Sequence, residues 1–155
     1  MGLPAPRYED APGMTLVGYS EKYTLESKVK IPEQWSRFSH HFGKVPGQQG
    51  PATYGVSSNY QQGEGFDYLT CVEVDPAVEQ PAEFTTLTLE PRRYAVIPHN
   101  EHVMKIPETF EAIWRKWLPE SGLKTAAAPC FERYAAEFNP HTGMGGMEIW
   151  IPLAC

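Results

Sequence analysis

At 155 residues, with 41% hydrophobic and 21% charged residues, the chain has the make-up of a folded domain with length for one core of about 100–150 residues. Thirteen Lys and Arg against 19 Asp and Glu leave a formal net charge of −6, too little basic material for a face that neutralises phosphates, so no direct nucleic-acid partner is expected. No apolar run approaches the ~20 residues that span a bilayer, and Met1-Gly2-Leu3-Pro4-Ala5-Pro6 has neither region of a signal peptide, so the expectation is a cytoplasmic protein without membrane contact.

Cys71, Cys130 and Cys155 are an odd number at wide spacing, which suggests neither a disulfide framework nor a zinc ribbon. Residues 1–13 hold three prolines and no apolar periodicity and read as an extended lead-in. From Met14 to Thr24 the recurrence of Thr15, Val17, Tyr19, Tyr23 and Thr24 predicts a strand. Ile31, Trp35, Phe38 and Phe42 then fall on one face of a short helix that opens at Pro32 and ends at Gly43. A Gly/Pro/Gln loop leads to two predicted strands, 53–60 and 66–74, joined through Gln61-Gln62-Gly63-Glu64-Gly65. Residues 84–89 and 93–98 restart β-patterning on either side of Pro91. Ile106, Phe110, Ile113, Trp114, Trp117 and Leu118 form the clearest helical stripe, closed at Pro119 or Gly122, and residues 130–138 and 147–153 predict two last strands.

The tetrapeptide Lys30-Ile31-Pro32-Glu33 recurs as Lys105-Ile106-Pro107-Glu108, 75 residues on (31 to 106), and each copy opens a predicted helix. With like elements on both sides, the chain reads as two β-α-β-β halves, about 14–80 and 81–153, within one domain over 14–153. The expected fold class is α+β: antiparallel sheets, one helix per half, and a central ligand groove at the pseudo-two-fold axis.

Alternation in Met147–Leu153 turns Ile149, Ile151 and Leu153 toward a helix and Glu148 and Trp150 to the opposite face. Glu132, Tyr134 and Ala136 share a face, but Phe131 and Tyr134 are bulky on opposite sides, so either face can be the inner one. Tyr68 is the rough first-half counterpart of Glu148. A carboxylate among aromatic rings suits a flat lipophilic cation, which restores the charged form and gains about 0.5–2 kcal/mol per ring. Trp114 and Trp117 lie on the helical stripe and read as core, with Trp117 also a candidate wall of the groove. His40, His41, His99 and His102, with Glu101, lack metal-ligand spacing and read as loop or surface histidines; neither metal nor cofactor is expected. Gly143-Met144-Gly145-Gly146 precedes a strand, not a helix, and reads as a hairpin turn. No G-x-S-x-G occurs.

Four segments resemble the GyrI-like effector-binding family in order: Pro91-x-x-Tyr94-Ala95-Val96-Ile97-x-His99, Ile106-Pro107-Glu108-Thr109-Phe110-x-x-Ile113-Trp114-x-x-Trp117-Leu118, Pro129-x-Phe131-Glu132-x-Tyr134 and Met147–Leu153. The first half matches more loosely, through Val17-Gly18 and Tyr54-Gly55. The resemblance implies tandem β-α-β-β units around a groove, with Glu132 at the floor of an aromatic-lined pocket for hydrophobic, often cationic compounds. It further implies a stand-alone relative of the ligand-binding part of AraC-type and MerR-type regulators. Where many relatives follow the His with Gly-Pro-Tyr, this chain has Asn100-Glu101-His102. The site expected on this basis comprises Glu132, Trp150, Tyr134, Tyr68, Trp117 and Glu148, and the partner a hydrophobic or cationic small molecule. Two alternatives come with the resemblance: hydrolysis of strained, cyclopropane-bearing genotoxins, with Glu132 as base and Tyr134 as proton donor, or interaction with DNA gyrase or a transcription regulator.

Overall fold

In the computed structural model of the protein, the described residues are 4–24, 26–61, 64–139 and 141–154, the side chains of 60 and 61 excepted. The centre of the predicted 61–65 connection and Cys155 therefore lie outside them. In chain order the elements are β1 (Arg7–Ala11), β2 (Met14–Tyr23), α1 (Ile31–Phe38), β3 (Thr53–Gln61), β4 (Gly65–Glu73), β5 (Thr85–Leu89), β6 (Arg92–His99), α2 (Ile106–Ala112), α3 (Leu118–Ser121), β7 (Cys130–Tyr134) and β8 (Met147–Pro152). The strand pairs named below are antiparallel, so the expected α+β class with antiparallel sheets is observed. Two compact units divide the chain, residues 13–90 and residues 91–155 together with 1–12.

Within 13–90 the strand order is β3-β4-β2-β5. Val17 lies opposite Val72 across β2 and β4, and both turn toward α1, where they meet Phe38, Val45 and Val74 in a closed cluster flanked by Tyr19, Trp35 and Phe84. Pro32 occupies the first turn of α1, where no N–H is needed, as the sequence predicts. Gln34 on α1 is fully buried and satisfied: Tyr23 Oη donates to its Oε1 (2.6 Å), and its Nε2 donates to the carbonyls of Tyr19 (2.7 Å) and Tyr68 (3.0 Å). Such a bridge fixes the helix on its sheet more specifically than apolar contact does. β5 pairs with β2, Leu87 opposite Leu16 and Leu89 opposite Met14, and so belongs to this unit although sequence order grouped residues 84–89 with the second half.

The other unit has the order β1-β6-β8-β7. Ala95 and Ile97 of β6 lie beside Ile151 and Ile149 of β8, and this row packs on Ile113 and Leu118 of the helical segment, with Phe110, Trp117 and Cys130 at the margin. The segment expected as a lead-in carries β1, paired with β6 from Arg7 opposite Val96 to Ala11 opposite Arg92. None of its residues is fully buried, which is why no apolar period marks it; it is held by the backbone ladder and by ion pairs.

Between α2 and α3, Ile113–Trp117 forms a π-helical turn, with Leu118 N–H donating to the Ile113 carbonyl five residues back. Pro119 follows, and it can neither donate an N–H nor tolerate the carbonyl four residues before it; the widened turn relieves both. The extra residue puts Ile113 and Leu118 on the core face and rotates Trp114 off it, so Trp114 is 43% exposed rather than core. His99 departs from expectation too. It is a buried strand residue, its Nδ1 2.9 Å from Thr109 Oγ1 and its Nε2 2.9 Å from the His102 carbonyl. The 143–146 turn is as predicted, with positive φ at all three glycines and Gly143 N–H donating to the Asn139 carbonyl.

Candidate functional site

Residues directly opposite one another in antiparallel strands project from the same face. In β7 and β8 the partners are Phe131 with Trp150, Glu132 with Ile149, Arg133 with Glu148 and Tyr134 with Met147. Ile149 packs on the helical segment, so Glu132 and Tyr134 project from the helix-bearing face, while Phe131, Arg133, Glu148 and Trp150 project from the other. The face that alternation left open for β7 is thereby fixed. The six residues expected at one site divide between two faces and two units.

On the helix-bearing face Glu132 lies in a row with Ile149 and Ile97, between the Cys130/Ile151 and Tyr134/Met147/His99 rows. It is 5% exposed, and Tyr134 Oη donates to its Oε1 at 3.0 Å. The Tyr134 ring packs edge-on against Phe138. Cys130, one strand repeat away, has its thiol pKa pushed up to about 12, first by burial and then by the negative charge of Glu132. Trp117 is half-buried against the apolar cluster that also contains Cys130 at its margin. A carboxylate in surroundings this apolar attracts a positive charge far more strongly than one in water, and with a phenol beside it can also exchange a proton.

The opposite face carries a closed aromatic group. The Phe131 and Trp150 rings stack at 5.4 Å with planes 16° apart, and Tyr94 meets each of them edge-on at 5.4 Å. Burial raises the Tyr94 pKa, with Arg92 opposing it. Glu148 is engaged by three residues: Arg7 Nη1 donates to its Oε2 (2.7 Å), Trp150 Nε1 donates to its Oε1 (3.2 Å), and Arg133 Nη1 stands 3.9 Å from that oxygen. Glu148 is thus neutralised within the chain. Sequence reading missed Arg7; the alternation Arg7, Glu9, Ala11 was present, but its strand partner lies some ninety residues away.

Tyr68 belongs to the unit of residues 13–90. It is buried, its Oη accepts a hydrogen bond from Trp35 Nε1 (3.1 Å), and its ring meets those of Tyr23 and Trp35. On the same unit an open cleft of about 550 Å³ is lined by Tyr19, Glu33, Ser36, Arg37, His40 and His41, where Tyr19 Oη lies 2.7 Å from His41 Nε2. Among the described residues no group of three or more His, Cys, Asp or Glu is placed to hold a metal ion.

A family model described as the GyrI-like small molecule binding domain matches residues 4–154. The chain belongs to this family. A curated relative, the transcriptional regulator BrlR of Pseudomonas aeruginosa, is 28% identical over 149 residues, 95% of this GyrI-like chain and 54% of the regulator. The chain thus spans about half the length of that relative. Among solved structures, SAV2435 bound to tetraphenylphosphonium superposes with a TM-score of 0.75 at 19% identity, covering 97% of this chain and 94% of that one. The C-terminal domain of EcmrR gives 0.67 at 11% identity, covering 96% of each chain. At these identities the structural likenesses establish the GyrI-like fold. No helix among the described residues is long and apolar enough to cross a membrane.

Proposed function

We propose that this GyrI-like chain binds lipophilic organic cations, with Glu132 supplying the negative charge, Tyr134 orienting its carboxylate and Trp117 contributing an aromatic wall. The observation that carries this reading is the placement of Glu132: 5% exposed, in an apolar row on the helix-bearing face, with a phenol as hydrogen-bond donor. Burying a carboxylate costs several kcal/mol, and a guest that brings both positive charge and apolar surface offsets that cost as a neutral guest does not. Support comes from a neighbour of the same fold having tetraphenylphosphonium bound. Glu148, already matched by Arg7 and on the opposite face, is not assigned to this lipophilic cation.

The repeated Lys-Ile-Pro-Glu segments support a duplicated ancestry. Lys30 and Lys105 precede their helices with nearly equal dihedrals, φ −89° and −92°, ψ −1° and 1°. Alignment with about half of a transcriptional regulator supports a sensing role for the domain within a regulatory system.

Titration of the protein with tetraphenylphosphonium, followed by calorimetry, tests the reading. Glu132→Gln keeps the shape and removes the charge, and should weaken binding by about 2 kcal/mol or more, roughly thirtyfold, while neutral triphenylphosphine oxide is unaffected. Equal affinity of the wild-type and Gln proteins for the phosphonium, with far-UV circular dichroism unchanged, removes Glu132 from the role. Turnover of a cyclopropane-bearing alkylator that depends on Glu132 would instead make the carboxylate a general base.

A further inference from the structure

Arg7 is bound on three sides. Its Nε donates to Glu9 Oε2 (2.6 Å), its Nη1 donates to Glu148 Oε2 (2.7 Å), and its Cζ stands 5.9 Å from the centroid of the Trp150 ring. Trp150 is itself held in place: Phe131 stacks on it at 5.4 Å, and its indole N–H is tied to the second oxygen of Glu148. A planar guanidinium with one carboxylate on its Nε edge, another on an Nη and an indole nearby is the arrangement by which free guanidinium groups are recognised. The hydrogen bond to Glu148 is also the largest cause of the raised Arg7 pKa, against the opposing effect of burial.

The occupant reaches this place from an unusual side of the chain. Arg7 stands at the first position of β1, a five-residue strand with no fully buried residue, joined to β2 by Pro12 and Gly13, both exposed. Glu148 and Trp150, by contrast, are on β8, which is paired on both sides, with β6 and β7. A receptor on a strand paired on both sides and a ligand side chain on an edge strand are thus part of one molecule. Arg133 Nη1 stands 3.9 Å from Glu148 Oε1, whereas Arg7 uses Oε2.

We propose that Glu148 and the indole of Trp150 form a guanidinium-recognition site, separate from Glu132, which the chain fills with its own Arg7, and that small alkyl- or arylguanidines bind there when Arg7 is withdrawn. β1 then acts as a tethered competitor. Withdrawal of Arg7 leaves Glu148 with the Trp150 and Arg133 contacts and opens the outer side of the indole to a free guanidine.

The test is chemical rescue. Ethylguanidinium is titrated into Arg7→Ala while the Trp150 indole N–H resonance is followed, with ethylammonium at matched ionic strength as control. The variant should bind ethylguanidinium saturably and about tenfold more tightly than the wild type does, and should prefer it to ethylammonium. Adding Glu148→Gln to the variant should abolish the binding. Equal response of wild type and variant, or binding that survives Glu148→Gln, overturns the proposal. Should Arg7→Ala fail to fold, the wild type decides: ethylguanidinium, and not ethylammonium, should speed hydrogen exchange at the amides of residues 7–11 as it displaces Arg7, and equal exchange with the two cations refutes the site.

Discussion

At the scale of single residues, one strand carries two acidic or thiol groups with opposed needs. Cys130 and Glu132 project from the same face of β7, and burial together with the Glu132 charge keeps the Cys130 thiol protonated up to about pH 12. Because only the thiolate attacks disulfides, Cys130 in the folded protein should react with a disulfide reagent at pH 8 far more slowly than in urea, and a thiol assay in both states checks this. Because folding raises the thiol pKa, the buried protonated thiol contributes to stability. The contribution is fully present below the ordinary thiol pKa of 9.0 and is lost as pH rises from there toward about 12, so alkaline unfolding should come earlier for the wild type than for Cys130→Ala. The carboxylates and the aromatic residues themselves are legible: Glu132, Tyr134, Glu148 and Trp150 all stand out by residue type. Their division between two faces was not, because Phe131 and Tyr134 are equally bulky and only the pairing with Ile149 decides between them.

At the scale of elements, period and breakers predicted most strands and helix starts, and they failed where a local device changed the period. The stripe Ile106, Phe110, Ile113, Trp114, Trp117, Leu118 assumes 3.6 residues per turn, whereas the π turn before Pro119 adds a residue and exposes Trp114. Pro119 was visible; the form of its accommodation was not. Truncations should separate the two neighbours: Ile113→Ala opens a cavity in a fully buried position and should cost about 2–5 kcal/mol, while Trp114→Ala should stay within about 0.5 kcal/mol, both read from urea midpoints at constant slope. Gly18 in β2 is the converse case, a short residue required by a close approach. A Cβ there would run into the Thr70 carbonyl and the Cys71 Cα of the paired strand, so Gly18→Ala should cost about 2–3 kcal/mol although alanine is ordinarily harmless in a strand.

At the scale of the whole molecule, the chain does not fold as two successive segments. β1 precedes β2 by two residues yet pairs with β6, and β5 precedes β6 by two residues yet pairs with β2. Local sequence carries no record of such an exchange: β1 is bound by backbone groups that every residue possesses and by Arg7–Glu148 and Arg93–Asp10 ion pairs between residues more than eighty positions apart. The exposed ion pairs by themselves contribute little, each about 0–1 kcal/mol, so the ladder and the cover it gives to β6 dominate. A chain shortened to begin at Pro12 therefore tests what the segment does. A mere tail would leave the melting temperature unchanged. Loss of a paired strand should instead cost about 2 kcal/mol, lowering the melting temperature by about 4–8 °C, and should raise hydrogen exchange on β6 while that of β4, in the unit of residues 13–90, stays protected.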